Sequence, residues 1–150
     1  MTQNLKDFLT GAKNKEFATK NGTKMHTLLQ RVIIDDSKEY GDKELIEIIK
    51  NNSKLRPFFV STAQTEVPIA GIINGIFISR RLDRLLINNC AKTIDFIDYK
   101  TDINKDEFIE KYKKQLKEYA ILLQSAYPDY KINGYILWLH DWNLELVVKI

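Results

Sequence analysis

The feature that most constrains this chain is a change of hydrophobic period at Lys100. Up to that residue, short runs rich in Ile, Val, Phe and Thr (Ile69–Ile73, Ile76–Ser79, Arg81–Ile87 and Thr93–Lys100) are broken by Asn74-Gly75 and Asn88-Asn89. Such runs read as strands, and Asn-Gly accepts the positive φ angles of a tight hairpin turn. Beyond Lys100, Phe108, Tyr112, Leu116, Tyr119, Leu123 and Ala126 recur at helical spacing until Pro128. This predicts a long helix over Lys105–Tyr127, followed by strands over Lys131–Leu139 and Leu144–Ile150. Upstream, Met25, Leu28, Leu29, Val32 and Ile33 form one helical face, with start signals at Asn21-Gly22-Thr23. A short helix is expected over Lys43–Lys50 and a strand over Phe58–Thr62. The order of elements predicts an α/β fold, a central mixed β-sheet flanked by helices. With 150 residues, the expectation is a single domain over 1–150.

Composition narrows the chemistry. The one cysteine, Cys90, forms no internal disulfide, zinc knuckle or cysteine-ligated iron–sulfur cluster. There are two histidines, His26 and His140, so a metal site must rest mainly on carboxylates, which favours Mg2+ or Mn2+. The formal net charge of +3 says little by itself about nucleic acid. Met1–Asp7 has no apolar core of a signal peptide, and no apolar run approaches the ~20 residues of a membrane span. The expected compartment is the cytoplasm. No P-loop pattern occurs, so no nucleotide-driven motor is expected.

The strongest constellation lies on two predicted strands, Arg81-Leu82-Asp83-Arg84 and Asp98-Tyr99-Lys100-Thr101. Side chains alternate along a strand, so Asp98 and Lys100 share a face, ~6.6 Å apart. A short turn between the strands would bring Asp83 beside Asp98. Two carboxylates and an amine so arranged can hold a divalent metal and polarise a water. An isolated Asp-x-Lys is ordinarily a solvated ion pair. Here both aspartates sit within apolar stretches, where an unpaired carboxylate is costly.

These residues and their flanks resemble the nuclease domain of RecB and AddA, in the PD-(D/E)xK superfamily. Gly22-Thr23-Lys24-Met25-His26 resembles a G-x-x-x-H helix start, and Glu66 precedes the hairpin where an acidic residue is common. Arg81-Leu82-Asp83-Arg84-Leu85 resembles the G-R-I-D-R-L strand, with Arg80 where the family has glycine. Asp98-Tyr99-Lys100-Thr101 matches D-Y-K-T, and Gln115-Leu116-Lys117-Glu118-Tyr119 matches Q-x-x-x-Y. The resemblance covers about residues 20–140 and implies a restriction-endonuclease-like core. It implies metal ligation by His26, Asp83, Asp98 and the Tyr99 carbonyl, with Lys100 assisting the attacking water. Gln115 and Tyr119 would border the site and contact DNA, and Glu66 would take an outer-shell or second-metal role.

The implied activity is Mg2+- or Mn2+-dependent hydrolysis of DNA, single-stranded or at processed ends, in recombination and double-strand break repair. The implied partner is DNA, and the chain would be a stand-alone nuclease, a subunit that joins a separate helicase, or an excised domain. Arg80, Arg81, Arg84, Lys111 and Lys114, with Lys113 and Lys117, form a candidate phosphate-contacting set. The lysines read equally as a solvated helix face balanced by Glu107, Glu110 and Glu118. Trp142 and, less so, Trp138 are candidates for base stacking, while His140-Asp141-Trp142-Asn143 reads as a hairpin turn. The alternative to an enzyme is a non-catalytic DNA-binding or scaffolding module of a repair complex.

Overall fold

The computed structural model describes residues 15–150, with side chains from Lys24 onward; the Met1–Asp7 segment lies outside the described residues. In chain order the elements are α1 (Lys15–Gln30), β1 (Ile33–Ile34), β2 (Glu39–Tyr40), α2 (Lys43–Lys50), a 3-10 turn (Arg56–Phe59), β3 (Gln64–Ile73), β4 (Ile76–Asn88), β5 (Thr93–Lys100), α3 (Lys105–Ala126), β6 (Lys131–Trp138) and β7 (Asn143–Lys149). The five longer strands form one sheet in the order β3-β4-β5-β6-β7. Neighbours are antiparallel except β5 and β6, which run parallel because the long helix α3 carries the chain back between them. The architecture is α/β around a mixed sheet, as the period change predicts.

Strand β5 shows why the core has two layers. Ile94 and Phe96 join a cluster with Leu116, Leu123 and Trp138 on the α3 side. Ile97 and Tyr99 join Met25, Leu29, Leu45 and Phe59 on the α1 side. Alternation along one strand thus feeds both layers, and each fully buried aliphatic or aromatic side chain contributes about 1.5–3 kcal/mol. Asp42 caps α2 by accepting from Leu45 N at 3.0 Å. Pro128, just past α3, cannot continue the helix.

Three local expectations are corrected. Helix α1 starts at Lys15, so Gly22 lies inside it, and the helix ends at Gln30, leaving Ile33 to a short strand. Phe58–Thr62 is not a strand: Pro57 enters a 3-10 turn, where its fixed φ fits and its missing N–H is no loss. Phe58 and Phe59 are buried by that turn. The runs Ile76–Ser79 and Arg81–Ile87 are one continuous strand.

That continuity produces an arm. Strand β3 pairs with β4 from Gln64↔Leu85 to Ile73↔Ile76, but β5 pairs with β4 only over Arg84–Asn88. The hairpin therefore runs beyond the sheet as a two-stranded ribbon. Its tip is the Asn74-Gly75 turn, with φ of 51° and 78°, the backbone that Asn-Gly favours. One face lies on α3, close enough that a Cβ on Gly71 would stand 2.7 Å from Leu122 Cδ2.

Candidate active site

The site sits where β4 and β5 part. Their last ladder pair is Arg84↔Ile97, so the next residues outward, Asp83 and Asp98, face each other across the opening fork. Asp83 Oδ2 spans it by accepting from Tyr99 N at 2.7 Å. On the other side of Asp83 stands Glu66, between the pairs Thr65↔Arg84 and Val67↔Leu82. Glu66 has φ of 51°, a left-handed conformation that costs a non-glycine residue about 1–3 kcal/mol and concentrates at functional sites.

Helix α1 brings the imidazole. Gly22 packs so tightly on the end of β5 that a Cβ there would lie 2.6 Å from Thr101 Cγ2. One helical turn later, His26 Nδ1 stands 3.4 Å from Asp83 Oδ1, and its ring meets Tyr99 edge-on at 5.0 Å. One donor atom each from His26, Glu66 and Asp83 lies within 4.8 Å of the others. Asp98 stands outside that group, because Lys100 Nζ holds its Oδ2 at 2.8 Å on the α3 side of the sheet. Glu66, expected in an outer-shell or second-metal role, thus lies beside His26 and Asp83.

Lys100 is restrained from three directions. Besides Asp98, its ammonium donates to Gln115 Oε1 at 2.9 Å and lies 4.1 Å from the centre of the Tyr112 ring. Gln115 in turn donates from Nε2 to Tyr119 OH at 2.8 Å. The two α3 residues are one turn apart on one face, which makes this relay possible. The Tyr112 hydroxyl donates to Asp102. Tyr112 and Asp102 were missed as site residues: Tyr112 reads as part of the apolar stripe, and Asp102 carries no periodic signal. The available hint was Tyr112's place three residues before Gln115.

Electrostatics follow from this crowding. Burial, reinforced by Asp83, pushes the Asp98 carboxyl up to about 6 against the pull of Lys100. Burial opposes charge on His26, but its hydrogen bond to Asp83 and the nearby Asp98 and Glu66 outweigh that and raise its pKa. Burial and Asp98 push the Tyr119 hydroxyl up to about 12. The fork thus gathers three carboxylates, Glu66, Asp83 and Asp98, around the His26 ring and the Lys100 ammonium, and buried Asp98 Oδ2 makes no aligned hydrogen bond beyond its ion pair. A hard divalent cation fits this donor set of carboxylates and one imidazole.

A cleft of about 700 Å³ opens onto this cluster, lined among others by His26, Glu66, Arg81, Tyr99, Lys100 and Tyr112. Arg81 is exposed and sits 3.7 Å from Glu66. Arg80 is exposed and donates to Ser79 O. Lys111 and Lys114 are exposed on α3, and Lys111 is one turn before Gln115, at the border of the site.

Arg84 is a correction. It is only 2% exposed, and its guanidinium donates to Tyr99 OH, Phe58 O and Leu29 O while lying 4.0 Å from the Phe59 ring centre. It is a buried strut between β4, α1 and the 3-10 turn, with no surface to offer a phosphate. Trp138 is likewise fully buried and donates to Glu145. Trp142 packs against the α1-side core from the β6–β7 turn, so stacking on a base is not its arrangement here.

No helix among the described residues is long and apolar enough to cross a membrane. No family model matches the chain, and no curated protein matches it.

Proposed function

We propose that this chain is a metal-dependent deoxyribonuclease that hydrolyses DNA phosphodiester bonds, a single domain with a restriction-endonuclease-like core of the RecB/AddA type. The observation that carries this reading is the fork. His26, Glu66 and Asp83 converge within 4.8 Å, beside a Lys100 ammonium fixed by Asp98, Gln115 and Tyr112. The matching residues follow the order of the resemblance from Gly22 to Tyr119.

In this reading His26, Asp83 and Asp98, with the Tyr99 carbonyl and Glu66, hold Mg2+ or Mn2+. When bound, the ion supplies Lewis acidity toward a phosphate oxygen and lowers the pKa of water. The chain's own residues do the rest. Lys100 presents a fixed positive charge that orients the attacking water and stabilises charge growing on the phosphorus oxygens. Gln115 keeps that ammonium from swinging away, and Tyr119 fixes which end of the Gln115 amide faces Lys100. Tyr112 limits the ammonium's hydration on its open side. Arg81, Arg80 and Lys111 supply phosphate contacts at the rim.

In this reading the nuclease acts on single strands or opened ends, in DNA recombination and break repair, alone or beside a separate helicase. The reading places it in the cytoplasm. The test is degradation of labelled single-stranded DNA by the purified chain in Mg2+ or Mn2+, against EDTA and the Asp98→Ala variant. Metal-dependent cleavage lost in the variant supports the proposal. A wild type that binds DNA but does not cut it overturns it in favour of a scaffolding module.

A further inference from the structure

The arm formed by β3 and β4 has one face that the fold leaves open. Along it, Pro68, Ala70 and Ile72 of β3 lie beside Arg81, Ser79 and Phe77 of β4, and all six are exposed. Near the tip Ile72 and Phe77 are a cross-strand pair, 72% and 69% exposed. The opposite face lies on α3: Val67 and Ile69 pack against the α3-side core, Gly71 meets Leu122, and Ile78 is buried. An exposed aromatic–aliphatic pair on a projecting ribbon is an apolar patch without a partner among the described residues.

Charge and continuity identify the occupant. No acidic residue occurs between Val67 and Leu82, while Arg80 and Arg81 stand at the base of the arm. Arg81 shares its face with Phe77 and also lines the cleft beside Glu66. Four residues of strand separate the two, about 13 Å, or about four stacked nucleotides. A ligand that enters the cleft as a phosphate chain therefore passes Arg81 and meets a flat apolar surface further along. Unpaired nucleic acid has this pattern, a charged backbone with aromatic faces to one side.

We infer that the open face of the arm binds the unpaired bases of a nucleic-acid strand, with Phe77 and Ile72 as the stacking platform and Arg81 as the phosphate contact leading to the cleft. This rests on the proposed function for its substrate class. It goes beyond it in assigning a strand-binding surface outside the carboxylate site. Phe77 and Ile72 touch no reacting atom; they position the strand.

The experiment compares binding of a fluorescent single-stranded oligothymidylate with that of the same length carrying abasic positions, in EDTA so that no cleavage intervenes. Phe77→Ala is expected to weaken oligothymidylate binding about tenfold. It should leave the abasic oligonucleotide almost unchanged, because both lack the same stack. Phe77→Trp should restore affinity and report stacking by fluorescence quenching. Hydrolysis of bis(p-nitrophenyl) phosphate with Mn2+, measured in parallel, should be the same for wild type and Phe77→Ala. If that hydrolysis is absent in all proteins but the base-dependent loss persists, the nuclease reading fails and the strand-binding surface stands. Equal oligothymidylate affinity in wild type and Phe77→Ala overturns the inference. So does a Phe77→Ala change that only converts a dimer to a monomer in sedimentation, since the face would then pair with a second copy.

Discussion

Gly22 and Thr101 stand so close that a single methyl group on the glycine would lie 2.6 Å from Thr101 Cγ2. Helix α1 and the end of β5 are joined at that point, and His26 is delivered to Asp83 one helical turn further along. Gly22→Ala should therefore push α1 outward despite Ala's better helix propensity. Overpacking costs about 1–3 kcal/mol and the propensity returns about 1, so the net loss of stability is small. The larger effect falls on metal binding, which should weaken severalfold. Thr101→Ser, which removes Cγ2, should rescue the double variant. Mn2+ titration calorimetry on the four proteins checks this.

Arg84 predicts a stability effect rather than a binding effect. Its side chain satisfies two backbone carbonyls from separate elements, Leu29 O and Phe58 O, and the Tyr99 hydroxyl. Arg84→Met strands these groups in a dry site and should cost about 3 kcal/mol or more. Arg84→Lys should recover little, since one ammonium cannot reproduce the fork. Urea denaturation measures the loss. The salt dependence of DNA binding by folded Arg84→Met should match wild type, whereas Arg81→Ala should reduce it.

The metal-free protein should become less stable as pH rises. Asp98 titrates near 3.8 when unperturbed and at about 6 in the fold. Its folded form holds the proton more tightly, so its contribution is complete below about 3.8 and is lost as pH rises through about 6. His26, raised above 6.5, acts in the same direction, contributing fully below 6.5 and losing that contribution above its folded value. Metal must displace both protons, so the Mn2+-induced rise in Tm should grow as pH rises from about 3.8 through about 6 for Asp98, and further above 6.5 as His26 loses its proton. Thermal melts in EDTA and in Mn2+ check both slopes. Asp98→Asn should flatten the EDTA slope.

Gln115 anchors the ammonium of Lys100 and donates to Tyr119 OH from the border of the site. Gln115→Ala should leave the melting temperature nearly unchanged and lower kcat by about 10- to 100-fold, the range expected when a catalytic group is displaced by about 1 Å. The KM for a single-stranded oligonucleotide should change less than kcat. Steady-state kinetics separates the two.

The sequence carried some of these relationships and hid others. Strand β5 and helix α2 are legible to the residue because their apolar patterns are dense and bounded by turn signals or a capping Asp. Asp83 beside Asp98 follows from strand alternation and a short connection. Arg84 was misread because a charged residue looks like surface until the carbonyls that bury it are known, and these come from residues 26 and 55 positions away. The nearness of Glu66 to the site was hidden for the same reason. Its neighbours His26 and Asp83 depend on the β3–β4 register and on a positive φ that a glutamate does not advertise. Phe58-Phe59 looked like strand because apolar runs do not show how Pro57 will turn the backbone.

The most direct test of the central claim is single-turnover cleavage of an end-labelled single-stranded oligonucleotide, at saturating Mn2+, by wild type and Lys100→Met. Wild type should cut in a reaction abolished by EDTA. Lys100→Met should cut about 100-fold or more slowly while binding Mn2+ with at least wild-type affinity, because the ammonium orients and stabilises but does not ligate. No cutting by wild type at any Mn2+ concentration, or equal rates for the two proteins, would contradict the account.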